Sequence, residues 1–168
     1  LHSGGNANTR DGDGRLKHAP PRTRQPADLF ISDPDNPVLA APAHGREYLH
    51  RFGPFDQQIA QDRDDVLVYS TEPLDEPLAF AGALHAQLYV SADTPDADWV
   101  VRVIDTHPDG FAHPLATGVL RGSARDSELH LSPMEPGRIY QIHVDLGHCA
   151  ARIDPGHKLS VQIAGSNL

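Results

Sequence analysis

Serine, histidine and cysteine are the residue types in this sequence that could act as nucleophile or base in covalent catalysis. A serine nucleophile held on a strand-to-helix elbow needs the pattern Gly-x-Ser-x-Gly, because the glycines permit the strained turn beneath the serine. None of the nine serines has a glycine two residues before it. The single cysteine, Cys149, is more typical of a small buried hydrophobe than of a thiol nucleophile. The sequence therefore predicts no catalytic residue within this chain.

Histidine and aspartate side chains also raise the question of a metal site. The eleven histidines include two close pairs, but a zinc site needs three or four tightly spaced ligands, and one cysteine supplies no ligand pair. The Asp11-Gly-Asp13-Gly segment begins like a calcium loop, but Arg22 stands where that loop needs a glutamate. We therefore expect no metal and no other cofactor. The histidine pairs are His107/His113 and His143/His148.

The composition is that of a turn-rich globular domain. Glycine and proline supply 14 and 15 of the 168 residues, which favours many turns over long helices. A net charge of −9 argues against nucleic acid and anionic membrane surfaces as partners. No apolar run approaches the roughly twenty residues of a membrane span. One cysteine permits no intrachain disulfide and no signal peptide is recognisable, so the cytoplasm is slightly favoured as the location.

Alternation of apolar and polar residues dominates the chain after residue 65. Such alternation predicts strands that bury one face, and it assigns Ser160 and Gln162 to the opposite, polar face. In residues 99–105, apolar residues occur on both faces, which predicts a strand buried on both, and a short segment at 57–61 is helix-like. Many short strands joined by Pro- and Gly-containing turns are typical of a two-layer β-sandwich. The predicted strands are 66–69, 84–91, 99–105, 139–146 and 158–164, and the predicted core positions are Leu88, Val90, Val101, Val103, Ile142, Val144, Val161 and Ile163.

The chain divides by composition into an arm at residues 1–27 and a single domain at residues 28–168. Gly-Gly, Asp-Gly and Pro-Pro pairs make the arm irregular. The arm carries five cations against two carboxylates, so it is mildly basic beside an acidic body.

Eight short motifs, in order along the whole chain, resemble one known family. The most specific is Asp64-Asp-Val-Leu-Val-Tyr-Ser-Thr-Glu-Pro-Leu74. Together the motifs make the chain similar to the C-terminal domain of the X-Pro dipeptidyl-peptidase and cocaine-esterase family, which includes glutaryl-cephalosporanate acylases and α-amino-acid ester hydrolases. The other motifs lie at 1–5 with 12–16, 88–91, 105–110, 118–121, 136–137, 155–157 and 165–167.

The resemblance implies a jelly-roll β-sandwich, similar to galactose-binding domains, that follows an α/β-hydrolase domain and a helical cap. The Ser-Asp-His triad would lie upstream of Leu1, and the chain would be a non-catalytic accessory domain that helps shape the active site of an acylase, esterase or dipeptidyl-peptidase. The alternative is an independent carbohydrate- or ligand-binding module. Such modules usually expose aromatic side chains, whereas Trp99, the only tryptophan, lies in an apolar strand.

The resemblance also implies a face that meets the hydrolase and cap domains of the parent chain. We expect that face near the arm, near the Gly-Pro loop at 52–56 and near residues 165–168, because two phenylalanines beside Gly-Pro have no strand periodicity to bury them. The isolated chain is expected to self-associate through the same face. The candidate interface residues are Phe52, Phe55, Asp56, Gln57, Ser166 and Asn167.

Overall fold

The computed structural model describes residues 1–40 and 53–168. A single turn of helix, α1 (Gln58–Gln61), confirms the helix-like segment, and a 3₁₀ turn spans Gly122–Ala124. All five predicted strands are confirmed, and a sixth strand, β4, appears between them. Among the described residues, no helix has the length and hydrophobicity that crossing a bilayer requires. The strands are β1 (Val66–Ser70), β2 (Leu78–Val90), β3 (Asp98–Thr106), β4 (Ala112–Arg121), β5 (Tyr140–Ile153) and β6 (Lys158–Ala164).

The strands form two antiparallel sheets. One sheet has four strands in the order β1-β6-β3-β4, and the other pairs β2 with β5. The register places Val101 beside Ile163 and Leu88 beside Ile142, so apolar residues of neighbouring strands share one face. The all-β fold is confirmed as a sandwich of antiparallel sheets, while the finer assignment to a jelly roll similar to galactose-binding domains stays a prediction.

The main core lies between the two sheets, on what we call the inner face of the four-stranded sheet. Alternate side chains of each strand point into it, because successive residues of a strand face opposite sides. Trp99 lies in this core at 5% exposure, so its ring is not available for stacking on a sugar. Of the predicted core positions, Leu88, Val101, Ile142, Val144 and Ile163 are buried, and Val90, Val103 and Val161 are half-buried and pack against the same cluster.

The outer face of the four-stranded sheet is also buried at β1, β6 and β3, whereas Val119 of β4 is 55% exposed. The expectation that Ser160 and Gln162 face solvent is wrong, since both are fully buried. The alternation of β6 is real, but residues 38–40 and α1 cover the face that it makes polar. Arg102 of β3 is buried there too. Apolar contacts that hold this cover come from Val38, Ala60, Val66, Val68 and Ala164.

The arm runs along the edge of β1. The backbone N–H of Val68 donates to the carbonyl oxygen of Ala7 (2.8 Å), and that of Leu16 donates to Ser70 (2.9 Å). Gly14 lies so close to β1 that a Cβ at this position would overlap the carbonyl oxygen of Val68. Glycine is therefore needed for this approach.

Asp28 ties the arm to the sandwich. Its carboxylate accepts hydrogen bonds from the backbone N–H of Ala7 (2.8 Å) and from the hydroxyl of Tyr69 (2.7 Å). Burial and the hydrogen bond to Asp28 raise the pKa of the Tyr69 hydroxyl. The hydroxyl is therefore held in the protonated form that donates to Asp28.

Candidate functional site

The loop before α1 carries the first candidate interface residues. Phe52 lies outside the described residues, and Phe55 is half-buried. The carboxylate of Asp56 accepts hydrogen bonds from the backbone N–H of Gln58 and of Ala112, both at 2.9 Å. Asp56 therefore holds the first residue of α1 beside the start of β4.

Gln57 is fully buried rather than at the surface. Its amide nitrogen donates to the carbonyl oxygens of Ala40 (2.9 Å) and Phe55 (3.1 Å). The backbone N–H of Ala40 in turn donates to Leu168 (2.6 Å). Through Ala40, Gln57 thus connects the loop before α1 with the segment that follows β6. The candidate interface residues of the loop and those of the segment therefore lie on the same outer face of the sheet.

Ser166 and Asn167, the remaining candidates, are half-buried and engaged within the domain. The Ser166 hydroxyl accepts a hydrogen bond from the backbone N–H of Val38 (2.8 Å). The side-chain oxygen of Asn167 accepts one from Nη2 of Arg102. Burial lowers the pKa of this guanidinium, because a charge in a poorly solvated site is disfavoured. These contacts hold residues 165–168 against the sheet.

An exposed apolar surface lies beside the arm, and we call its residues Leu29 and Ile31 the rim patch. They are 77% and 84% exposed, while Phe30 between them packs against the main core. The side-chain amide of Asn8 donates to the carbonyl oxygen of Leu29 (2.8 Å). The backbone is therefore fixed, and the two aliphatic side chains are held outward over a groove whose other wall includes Asp64.

A turn at the start of β3 carries a carboxylate, that of Asp96, with hydrogen-bond partners inside the domain. Asp96 accepts hydrogen bonds from the backbone N–H and the hydroxyl of Ser123, both at 2.8 Å. Burial by itself would raise the pKa of Asp96, but the bonds from Ser123 and the nearby charge of Arg121 outweigh it and lower the pKa. Asp96 thus anchors the 3₁₀ turn to the start of β3.

A group of three side chains at the other end of the sheet was not anticipated. Asp105, His107 and His157 lie together where β3 ends and β6 begins. The sequence paired His107 with His113, but the rings of His107 and His157 are closer, at 4.3 Å between centroids against 6.4 Å. The sequence signal is Asp-Thr-His at the end of β3 and Pro-Gly-His just before β6, and it can be recognised only when the pairing of these two strands is known.

The fold is a β-sandwich of antiparallel sheets, and the sequence contains no Gly-x-Ser-x-Gly elbow for a serine nucleophile. Residues 3–168 match the family described as the X-Pro dipeptidyl-peptidase C-terminal non-catalytic domain. The chain belongs to this family, and the resemblance read from its motifs is confirmed.

Three relatives share this domain within longer chains. Cocaine esterase of Rhodococcus sp. (strain MB1 Bresler) is 36% identical over 99% of this chain and 29% of its own length. The crystal structure of an aminopeptidase from a marine sediment Thaumarchaeota archaeon superposes on 97% of the chain with a TM-score of 0.85 and 30% identity. An α-amino acid ester hydrolase superposes on 99% with a TM-score of 0.85 and 29% identity. The chain spans 29% of the length of each of these relatives.

Proposed function

We propose that this chain is the non-catalytic β-sandwich domain of a larger serine hydrolase that cleaves ester or amide bonds. The observation that carries the proposal is the family match over residues 3–168, with relatives named as an esterase, an aminopeptidase and an ester hydrolase. The serine nucleophile and its acyl-enzyme would belong to another domain of the same protein. Residues 1–27 would lead from that domain into the sandwich.

The role of the sandwich in this proposal is to pack on the hydrolase and cap domains and to support the wall of the active site. The rim patch suits this contact, because two aliphatic side chains held this far out of the core by an anchored backbone leave apolar surface unburied. Contacts between domains of one chain bury several hundred Å² per side. The exposed carboxylate of Asp64 beside the patch favours a cation on the partner face.

The candidates Phe55, Asp56, Ser166 and Asn167 are proposed to border this contact rather than to form its centre. Their polar atoms have partners inside the domain, so they position the surface and contribute the exposed parts of their side chains. Gln57 is fully buried, and we do not include it in the proposed interface. Self-association of the isolated chain through the rim patch remains part of the proposal.

The test is the double substitution Leu29→Asp/Ile31→Asp, made both in the 168-residue chain and in the complete hydrolase. In the chain alone, Tm should change by no more than about 2 °C, since both side chains are exposed. In the complete hydrolase, two carboxylates buried against apolar surface should lower Tm by at least about 5 °C, and ester hydrolysis should fall at least fivefold. The chain alone should show no ester or amide hydrolysis with or without the substitutions.

The matched control is Leu129→Asp/Leu131→Asp, which places the same charges on two exposed leucines of the loop before β5. This control should leave both the Tm and the activity of the complete hydrolase close to wild type. If the rim-patch variant and the control behave alike in the complete hydrolase, the rim patch is not the interface. Turnover by the chain alone that a substitution of one of its own serines abolishes would overturn the non-catalytic assignment.

A further inference from the structure

Three side chains of the types that ligate metals converge at the end of the four-stranded sheet. Oδ1 of Asp105 lies 2.8 Å from Nδ1 of His157, and Oδ2 lies 3.7 Å from Nε2 of His107. One possible ligand atom from each residue lies within 4.8 Å of the other two. Within residues 1–40 and 53–168, no other group of three His, Cys, Asp or Glu side chains has this spacing.

The pairing of β3 with β6 holds the two histidines in place. Thr106 pairs with Lys158, so one further step of the register places His107 across from His157. The carbonyl oxygen of His107 accepts a backbone hydrogen bond from Gly110 (3.0 Å), which closes the turn after β3. Both imidazoles are thus carried by tight turns at the end of a well-paired sheet, which limits the movement needed to bring their nitrogens together.

The hydrogen bond between Asp105 and His157 accounts for the positions of these two side chains, but it does not account for that of His107. In the described part of the chain, the ring of His107 forms no hydrogen bond, yet it lies 4.3 Å from the ring of His157 and 5.3 Å from that of Phe111. A neutral imidazole presents one nitrogen lone pair, so two rings at this distance can bind one shared cation. Asp105 is buried, so its carboxylate is directed at the two histidines rather than at solvent.

We propose that Asp105, His107 and His157 bind one divalent transition-metal ion, for which Zn²⁺ is the probe. Zinc binds imidazole nitrogen and carboxylate oxygen at about 2.0–2.2 Å, which places tetrahedral donors about 3.3 Å apart. The separations of 2.8 and 3.7 Å from Asp105 lie on either side of this value. His107 is a third exposed, so rotation of its side chain closes the remaining gap. Two imidazoles and one carboxylate suit Zn²⁺, Ni²⁺ and Cu²⁺.

The bound ion would join two separate turns of the sandwich. His107 belongs to the connection between β3 and β4, and His157 to the connection between β5 and β6. A metal shared between them crosslinks strands that are about 50 residues apart in sequence, as the Asp105–His157 separation of 52 residues shows. Water would occupy the fourth position, since three protein ligands leave a tetrahedral site open.

The test is a calorimetric titration of ZnCl₂ into the tag-free, chelator-treated 168-residue chain. We expect one ion per chain and a rise in Tm of roughly 5 °C at a free zinc concentration near one hundred times Kd. His107→Phe should weaken zinc binding at least about tenfold, because it removes a ligand. Phenylalanine keeps the ring contact with Phe111 and removes no hydrogen bond between described residues, so the fold should be retained.

The control is His85→Phe, because His85 and Asp145 form an exposed pair at the same 3.7 Å distance but have no third ligand in the described structure. This variant should bind zinc as wild type does. A Co²⁺ titration of the wild-type chain needs no variant and should give the intense visible absorption of a four-coordinate ion. The proposal is overturned by equal zinc affinity in wild type and His107→Phe, by no binding heat at about 1 mM zinc, or by the weak spectrum of hydrated Co²⁺.

Discussion

The inner and outer faces of the four-stranded sheet differ in chemistry, although the same strands carry both. The inner face is apolar and meets the second sheet across the main core. The outer face places Arg102 beside Gln162. On the same face α1 packs through Ala60 against β1, and this helix is flanked by Gln57 and ends in Gln61. Each of these four side chains has at least one buried polar atom without a hydrogen-bond partner among the described residues. Both faces are therefore buried at β1, β3 and β6, but only the outer face contains buried polar atoms that lack a hydrogen-bond partner among the described residues.

Burial alone therefore does not determine how much each face of the sheet stabilises the fold. Each buried apolar side chain on the inner face gains roughly 1.5–3 kcal/mol. An unpaired buried polar group instead lowers the free energy of unfolding by about 1–3 kcal/mol. The inner face should therefore supply most of the stability, whereas the outer face determines which segments cover it, through Gln57 on Ala40 and Arg102 on Asn167.

Truncation of the inner face should have the largest effect. Ile142 is 1% exposed and faces the main core, so Ile142→Ala should lower the free energy of unfolding by about 2–5 kcal/mol through lost burial and a cavity. Urea unfolding of the purified chain measures this change. The control Ile139→Ala makes the same substitution three residues earlier, at 65% exposure, and should cost less than about 0.5 kcal/mol. Similar losses in both variants would mean that the inner face is not the main source of stability.

Replacing a buried polar side chain on the outer face should have a smaller effect, and it should stabilise the fold. Gln162 is fully buried, and both of its side-chain polar atoms lack a partner among the described residues. Gln162→Met keeps the length of the side chain and should raise the free energy of unfolding by about 1 kcal/mol. Gln87→Met, at an exposed position of β2, should leave stability unchanged. A destabilised Gln162→Met variant would show that the amide is satisfied and that the contrast between the faces is smaller than we infer.

A pH titration should give the smallest effect, at the end of the sheet rather than on either face. The pKa of Asp96 is lowered in the folded state, so its contribution is present above the unfolded pKa and is lost as pH falls through the folded pKa. At pH 6, Asp96→Asn should be less stable than wild type by well under about 1 kcal/mol, since the carboxylate is partly exposed. The difference should shrink as pH falls below the unfolded pKa of aspartate, about 3.9, and through the lower pKa of the folded state. Asp93→Asn, which removes an exposed carboxylate of the same turn, is the matched control, and equal stability curves for the two variants would rule out this role for Asp96.

The fold could be predicted from the sequence where one face of a strand is apolar and the other polar. That pattern located β5 and β6 because Ile142, Val144 and Ile163 recur at every second position. β4 was missed because Pro114 and Gly118 interrupt any such pattern. Gly118 is nonetheless required, since a Cβ there would overlap the carbonyl oxygen of Asp145 on β5.

The candidate site was less predictable, because its members depend on contacts between distant segments. Asp105 and His157 are 52 residues apart and meet only through the pairing of β3 with β6. The buried amide of Gln57 donates a hydrogen bond to Ala40, and no local sequence pattern predicts that these two residues meet. Motifs identified the family, and local patterns identified strands, but neither reports which loops cover a sheet.

The position of the arm has a consequence for how this protein avoids polymerising. β1 has the sequence Val-Leu-Val-Tyr-Ser, a short uncharged run of residues favoured in strands, and such a run with an open edge is a template for pairing with another chain. Ala7, Gly14 and Leu16 already use the backbone groups of that edge through Val68 and Ser70. The arm therefore blocks this edge. A protein shortened to begin at residue 28 would leave the backbone N–H and carbonyl groups of β1 free to pair with a strand of a neighbouring molecule.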